Sequence, residues 1–120
     1  MSAVMIPAPA AVTFPSTVPG TLACASCLAA FAFSGTMGTG FDITVTAQRL
    51  AQPSDLDTRL SLYDVTAGRW LITNDDDMAQ GTLDSRVVGM FPTTGDYVVI
   101  LDNVTVAPAR LAFEVAFTLR

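Results

Sequence analysis

The sequence has no histidine and no lysine, and charged side chains make up only 14% of its 120 residues. Histidine is the commonest general base and the commonest transition-metal ligand, so its absence removes the usual candidates for both roles. The arginines are scattered and the net charge is −5, which leaves no basic patch to neutralise a phosphate backbone. The composition therefore excludes nucleic-acid binding and argues against most enzyme classes.

Long hydrophobic runs are also missing. No apolar stretch reaches the roughly 18 residues that a membrane helix needs. Hydrophobic residues nevertheless make up 51% of the chain, which is too apolar for disorder and enough for the core of one domain. Prolines 7, 9, 15 and 19 interrupt the first twenty residues, and the first charged residue is Asp42. We therefore expect no membrane span and no secretory signal peptide.

Cysteine is scarce, and Cys24 and Cys27 form a single CxxC. A structural zinc site needs four ligands, and no second pair exists. Two small buried thiols or a local disulfide are the favoured interpretations. A redox site is the remaining alternative, although the strand-like residues that follow do not provide the βαβ context of a thioredoxin-like motif.

In several segments, apolar and polar residues alternate with a period of two. Apolar positions alternate with polar ones through Phe41–Thr46 and Leu111–Leu119, as in half-buried strands, whereas Tyr97–Leu101 is nearly continuously apolar, as in a central strand. No segment shows a helical period over three turns. About eight short strands at near-regular spacing predict a single all-β domain over residues 21–120, with the architecture of a sandwich or a jelly roll.

Residues 1–20 form a proline-rich apolar arm in front of this domain. The proline spacing favours an extended backbone, and the arm is too apolar for a solvated linker. One interpretation is that it lies along its own domain as an edge strand. The other is that it binds a neighbouring subunit through its larger apolar side chains, Val4, Ile6, Val12, Phe14 and Val18.

Carboxylates cluster in the predicted turns. Six of them are candidate ligands for calcium, a hard cation that takes six to eight oxygens: Asp55, Asp57, Asp75, Asp76, Asp77 and Asp84. The alternative is that Asn74–Asp77 is a polar hairpin tip, where Asn and Asp are favoured by turn geometry. The glycine and the distal glutamate of an EF-hand are missing.

Nothing in the sequence assembles a catalytic site. No pair of carboxylates is marked out across a cleft, and Ser85 has no histidine to activate it. Tyr63, Trp70 and Tyr97 could form an aromatic face, but both tyrosines lie in strand phrases and are expected in or beside the core. We predict that the chain is not an enzyme.

Residues from about 30 to 120 resemble the bacterial pre-peptidase C-terminal domain family, which is itself similar to the collagen-binding domains of secreted clostridial collagenases. The resemblance rests on phrases in this order: Asp57-Thr58, Leu60, Leu62-Tyr63-Asp64, Asn74-Asp75-Asp76, Asp84-Ser85-Arg86 and Gly95-Asp96-Tyr97. It implies a compact, non-catalytic, antiparallel β-sandwich of jelly-roll type that often binds calcium at acidic turns and is usually appended to exported enzymes.

Two functions follow. In the first, the apolar arm stands where a polar linker would be expected, and the chain is a structural protein. It would assemble with itself or decorate a larger shell, such as a virion capsid or a filament, by adding a strand to a partner's sheet. Its location would be a virion or an extracellular assembly. In the second, it is a calcium-dependent accessory module that binds protein or polysaccharide. The first predicts that a chain without residues 1–20 stays folded but no longer associates.

Overall fold

The computed structural model describes residues 9–22, 24, 27–46, 58–74, 85–103 and 111–120, and in these ranges it contains strands and no helix. The described residues form nine strands: β1 (Ala10–Ala11), β2 (Ser16–Thr21), β3 (Ala29–Gly35), β4 (Gly40–Thr46), β5 (Thr58–Asp64), β6 (Arg69–Asn74), β7 (Arg86–Met90), β8 (Gly95–Asn103) and β9 (Ala112–Leu119).

The strands form two facing sheets. One has the order β1-β3-β8-β5-β6 and the other β2-β9-β4-β7. Every neighbouring pair is antiparallel except β1 and β3, which run parallel. The all-β sandwich predicted from the sequence is confirmed, and the apolar run Tyr97–Leu101 lies in β8 at the centre of its sheet. The jelly-roll connectivity stays a prediction.

The core lies between the sheets and is built by alternation along the strands. In β9, Phe113, Val115 and Phe117 are buried, whereas the residues between them are only partly covered. β4 repeats the pattern with Phe41, Ile43 and Val45. Successive side chains of a strand point to opposite faces, so a sheet with one covered face needs this period. The alternation read in the sequence therefore marks the face of each strand that meets the other sheet.

The described part of the arm belongs to the sandwich itself. β1 pairs with β3, and β2 pairs with β9 from Ser16, opposite Phe117, to Thr21, opposite Ala112. Among the residues that the structure covers, the arm therefore lies along its own domain, and the predicted boundary after residue 20 falls inside β2. The physical reason is that the apolar side chains of the arm can be buried against the chain's own core.

Pro19 is compatible with β2 because β2 is an edge strand. The amide of Leu22 donates to the carbonyl of Leu111 (2.9 Å), so the even-numbered residues of this segment point their backbone groups at β9. Pro19 is odd-numbered and its nitrogen points away from β9, where a missing N–H costs no ladder bond.

Cys24 and Cys27 form a disulfide in the connection between β2 and β3, with Cα atoms 5.0 Å apart. Of the interpretations open at the sequence level, the local disulfide is the one found.

Candidate binding surface

One end of the sandwich, which we call the apolar end, carries all the large apolar side chains that are exposed in the described ranges: Met37, Val65, Trp70, Met90 and Leu119. Strand pairing places them at the same end of the two sheets. The β3–β4 turn, which holds Met37, is followed by Gly40, and Gly40 pairs with Met90. Leu119 is opposite Phe41 in the next residue pair. The β5–β6 turn reaches the same end because Asp64 pairs with Tyr97 at the start of β8.

The β3–β4 turn is shaped so that Met37 projects from it. Gly38 adopts a φ of 84°, a left-handed conformation that glycine reaches without steric cost. Its amide donates to the carbonyl of Phe91 (2.9 Å), and the amide of Phe91 donates in turn to the carbonyl of Thr39 (3.0 Å). These bonds tie the turn to the β7–β8 connection and hold the exposed Met37 in a defined place.

A buried carboxylate fixes the other two loops of the apolar end. Asp64 is fully buried. Its Oδ1 accepts the amide of Ala67 (3.0 Å) and its Oδ2 accepts the hydroxyl of Thr93 (2.8 Å). The amide of Ala67 is the main reason that the pKa of Asp64 lies below its usual 3.8. Thr93 and Arg69 also lower it, against burial, which raises it. Asp64 therefore acts as an ionised clamp between the β5–β6 turn and the β7–β8 loop.

Tyr97 extends this clamp. Its hydroxyl donates to the carbonyl of Thr93 and accepts the amide of Thr93 (3.2 Å). The ring is completely buried, and it lies 4.8 Å from the ring of Phe91 and 6.0 Å from that of Phe33. The expectation that Tyr97 belongs to the core is met, and its polar tip holds a loop of the apolar end.

Trp70 adds an aromatic edge to the apolar end. Its ring meets that of Tyr63 edge-on at 4.9 Å, across the β5–β6 pair. Tyr63 is half-buried, whereas 55% of Trp70 remains exposed. Tryptophan is an amphipathic residue that is enriched at the energetic centres of protein interfaces, so the exposed Trp70 is a candidate contact residue.

The six candidate calcium ligands, Asp55, Asp57, Asp75, Asp76, Asp77 and Asp84, all lie outside the described residues. Two observations bear on the strand ends that flank them. Thr58 and Ser85, which follow Asp57 and Asp84 in sequence, are buried and their hydroxyl oxygens lie 2.8 Å apart. Asn74, which precedes Asp75, has a buried Oδ1 with no hydrogen-bond partner in the described structure. An amide oxygen of this kind is a suitable calcium ligand.

Two further carboxylates, Asp42 and Asp102, pair with arginines across strands. Asp42 accepts two bonds from Arg86, one of them from Nε to Oδ1 at 3.1 Å, and this pairing is the main reason that the pKa of Asp42 is lowered. Asp102 accepts a similar pair of bonds from Arg59. Within the described ranges, no group of three or more His, Cys, Asp or Glu side chains is placed to hold a metal ion.

Ser85 is likewise engaged in the fold. Its hydroxyl donates to the carbonyl of Thr58, and its amide donates to the Thr58 hydroxyl (3.2 Å). Its carbonyl accepts the amide of Val45 (2.8 Å). The residue thus pins the start of β7 to β4 and to the start of β5.

The five predicted partner-binding residues divide into two groups. Val4 and Ile6 lie outside the described residues. Val12, Phe14 and Val18 are partly buried and contact the chain's own core. The ring of Phe14 lies 5.0 Å from that of Phe33 and 5.6 Å from that of Phe117. Their contact with a partner stays a prediction, and the structure shows an internal use for these three.

Sequence reasoning missed the apolar end. Leu119 continues the buried alternation of β9, so in one dimension it looks like a core residue. Met37 did carry a signal, because it lies between Gly35 and Gly38 in a predicted turn, where a large apolar side chain has no core to reach.

None of the described residues forms a helix long and apolar enough to cross a membrane.

Comparison with known proteins supports the fold. No family model and no curated protein matches the chain. Among solved structures, it is similar to a periplasmic lysozyme inhibitor of g-type lysozyme from Aeromonas hydrophila. The TM-score is 0.68 at 10% identity, over 92% of this chain and 94% of that one. It is also similar to the pre-peptidase C-terminal domain of collagenase from Bacillus anthracis. Here the TM-score is 0.65 at 11% identity, over 92% of each chain.

The likeness to a pre-peptidase C-terminal domain, expected from the sequence phrases, is therefore confirmed at the level of the fold. Identities of 10% and 11% establish shared architecture and leave function to the residues of this chain. Neither neighbour is a capsid or filament subunit, so assembly into a virion gains no support from them.

Proposed function

We propose that this chain is a non-catalytic protein-binding module whose binding surface is the apolar end. The observation that carries the proposal is the concentration of the exposed large apolar side chains at one end of the sandwich, on strand ends and turns beside the loops that Asp64, Thr93 and Tyr97 hold in place. Exposed apolar side chains gathered at one end of a fixed scaffold are typical of a protein contact, because little conformational entropy remains to be lost on binding.

The chemistry of the chain supports binding over catalysis. The sequence has no histidine, and the described polar side chains with defined partners hold strands and loops together. The two structural neighbours are an inhibitor of an enzyme and an accessory domain of one. Such roles depend on a surface and need no reactive group.

An extracytoplasmic location fits this role. The disulfide between Cys24 and Cys27 belongs to an oxidising compartment, where such bonds persist. The similar lysozyme inhibitor is periplasmic.

Two proteins serve as first probes, a g-type lysozyme and fibrillar collagen. Biolayer interferometry with the immobilised chain is expected to detect binding to at least one of them, or else to heptapeptides enriched from a random phage-displayed library. The double variant Met37→Ser/Trp70→Ser should weaken that binding about tenfold or more, since interface energy concentrates in a few large side chains. The control is Thr21→Ala, an exposed substitution at the far end of β2.

Two results would contradict the proposal. Equal affinities of the wild type and the double variant would move the site away from the apolar end. Absence of binding to both proteins, together with no enrichment from the library, would refute protein binding.

Calcium binding at the opposite end is a second, compatible proposal. Two observations at the strand ends that flank the acidic segments support it. The buried Oδ1 of Asn74 has no hydrogen-bond partner in the described structure, and the hydroxyl groups of Thr58 and Ser85 are hydrogen-bonded to each other. We expect the Tm to rise when calcium replaces EDTA, since an ion that binds only the folded state stabilises it. Asn74→Ala and Asp75→Asn should each reduce the rise, whereas Asp42→Asn should leave it unchanged. An identical Tm in calcium and EDTA would refute the proposal.

A further inference from the structure

A groove opens between the two sheets because of the path of the chain near its N-terminal side. β1 covers the edge of β3 only as far as Ala32, and the chain then crosses to the other sheet, where β2 begins opposite Phe117. Beyond this crossing, no described strand pairs with the outer edges of Phe33–Gly35 in β3 or of Leu119 in β9. Two sheet edges therefore lie open side by side.

The backbone of Ser34 points out of the open edge. The amide of Val12 donates to the carbonyl of Ala32 (2.9 Å), so Ala32 directs its backbone groups at β1 and not at β8. The amide of Val65 donates to the carbonyl of Asp96 (3.0 Å), so Asp96, the partner of Ser34, directs its own groups at β5. Since alternate residues of an antiparallel strand face alternate neighbours, the N–H and C=O of Ser34 face the open edge.

The same alternation applies across the groove. The amide of Arg120 donates to the carbonyl of Gly40 (2.8 Å), which directs Arg120 at β4 and leaves the backbone groups of Leu119 facing away from β4. The side chain of Leu119 follows the inward direction of Phe113, Val115 and Phe117, but 53% of it is exposed. An inward-pointing leucine that is half exposed indicates that the described residues leave the space beside it unfilled.

The groove along the open edge of β3 is about 670 Å³ in volume, and Leu119 lines it from the other sheet. Apolar walls are supplied by Phe14, Phe33, Val65 and Leu119. Phe14 lines the groove next to the core, where its ring lies 5.0 Å from that of Phe33 and 5.6 Å from that of Phe117. Asp96 is the single charged residue among the described residues that line the groove.

We propose that this groove binds an extended peptide segment of the partner protein, which adds as a strand at Ser34 and places an apolar side chain between Phe14 and Leu119. This inference rests on the proposed protein-binding function and specifies its site. Strand addition uses free main-chain groups for affinity and alternate pockets for specificity, and the groove offers both. Asp96 and the net charge of −5 favour a segment with a basic residue next to the apolar anchor.

Two other occupants fit less well. A second copy of the chain carries the same net charge of −5 and would meet electrostatic repulsion at Asp96. Residues 1–8 join β1 on the side of Pro9, whereas the groove begins past the other end of β1.

The test uses heptapeptides enriched on the wild-type chain from the phage-displayed library, measured by fluorescence anisotropy. A scan that places one N-methyl group at a time along the peptide should show losses of about tenfold or more at alternate positions, because alternate amides of an added strand face β3. Ser34→Pro should weaken binding by a similar factor. Its matched control is Thr17→Pro, another exposed edge residue whose N–H points outward, and this variant should bind as the wild type does.

Leu119→Ser provides a second variant in case Ser34→Pro does not fold, which circular dichroism would show. Two results would contradict peptide binding in the groove. One is an N-methyl scan without a period of two, and the other is wild-type affinity in both Leu119→Ser and folded Ser34→Pro. If Met37→Ser/Trp70→Ser still weakens binding in that case, the protein-binding function stands and only the groove is lost. If no peptide and no protein binds, both fail.

The two alternative occupants, the chain's own first residues and a second copy of the chain, predict distinct results. If a chain of residues 9–120 binds the peptides more than about tenfold tighter, the chain's own first residues compete for the groove. If light scattering shows a dimer that Ser34→Pro abolishes, a second copy occupies it. Either result would overturn the assignment to a partner's peptide.

Discussion

Asp64 shows how one residue links the stability of the fold to the shape of the binding end. Its carboxylate is buried and serves two loops that are far apart in sequence, through Ala67 and Thr93. A neutral side chain of the same shape could accept one of these bonds but would lack the charge that strengthens both. The same residue belongs to the Leu62-Tyr63-Asp64 phrase on which the family resemblance rests, and the sequence assigned it no role of its own.

The pH dependence of stability tests this role. Because the pKa of Asp64 is lowered in the folded state, the unfolded chain binds more protons as the pH falls through the usual value of 3.8 and below. The stabilising contribution is therefore complete above that value and is lost on further acidification. We expect the free energy of unfolding, measured with urea, to fall from pH 5 to pH 2 by less in Asp64→Asn than in the wild type.

The matched comparison is Asp102→Asn, which removes a partly exposed carboxylate on the outer face of the same sheet. At neutral pH it should lower the free energy of unfolding by less than Asp64→Asn does, because ion pairs at the surface contribute little to stability. Parallel pH profiles for the wild type and Asp64→Asn would show that the ionised Asp64 does not stabilise the fold.

Among the elements, the strands were the most predictable from sequence, and the crossing between the sheets was the least. β4 and β9 could be predicted because each buries one face, which imposes a period of two on Phe41–Val45 and Phe113–Phe117. β1 could not, because Ala10 and Ala11 are both exposed and held only by backbone bonds to β3, which leave no pattern in the side chains. The open groove results from that crossing, so it could not be predicted from the sequence either.

Phe14 is the side chain that fixes this crossing. It lies between the sheets and contacts the rings of Phe33, Phe91 and Phe117. We expect Phe14→Ala to lower the free energy of unfolding by about 3 kcal/mol, within the range for a large-to-small change beside a core. Thr13→Ala, an exposed neighbour whose carbonyl rather than side chain bonds to Ser16, should change it by less than about 0.5 kcal/mol. A small loss for Phe14→Ala, measured by urea unfolding, would show that the crossing is held elsewhere.

For the whole molecule, the two ends of the sandwich differ in chemistry. The apolar end gathers exposed side chains such as Trp70 and Leu119 at the ends of strands, whereas the opposite end joins strands through segments rich in aspartate. The sheets act as a rigid spacer between a proposed protein contact and a proposed cation site. Ion binding would then stabilise the domain without altering the contact surface, so calcium should raise the Tm without changing peptide affinity.

Truncation of the arm distinguishes an integral strand from a detachable assembly device. The sequence predicted that removing residues 1–20 leaves a folded monomer, but in the structure this deletion removes β1, all of β2 except Thr21, and the ring of Phe14. It would expose Phe33 and Phe117 and leave the edge of β9 unpaired, and both changes promote aggregation. We expect a chain of residues 21–120 to be unfolded or aggregated by circular dichroism and light scattering.

A chain of residues 9–120 is the matched control for that truncation, because it keeps every described strand. It should unfold cooperatively, with a Tm close to that of the full chain. If residues 21–120 instead gave a stable monomer with an unchanged Tm, the pairing of β2 with β9 would contribute little, and the arm would be free to act on a partner. The structure argues against that outcome, because the full length of β2 is paired with β9 and Val18 is partly buried against the core.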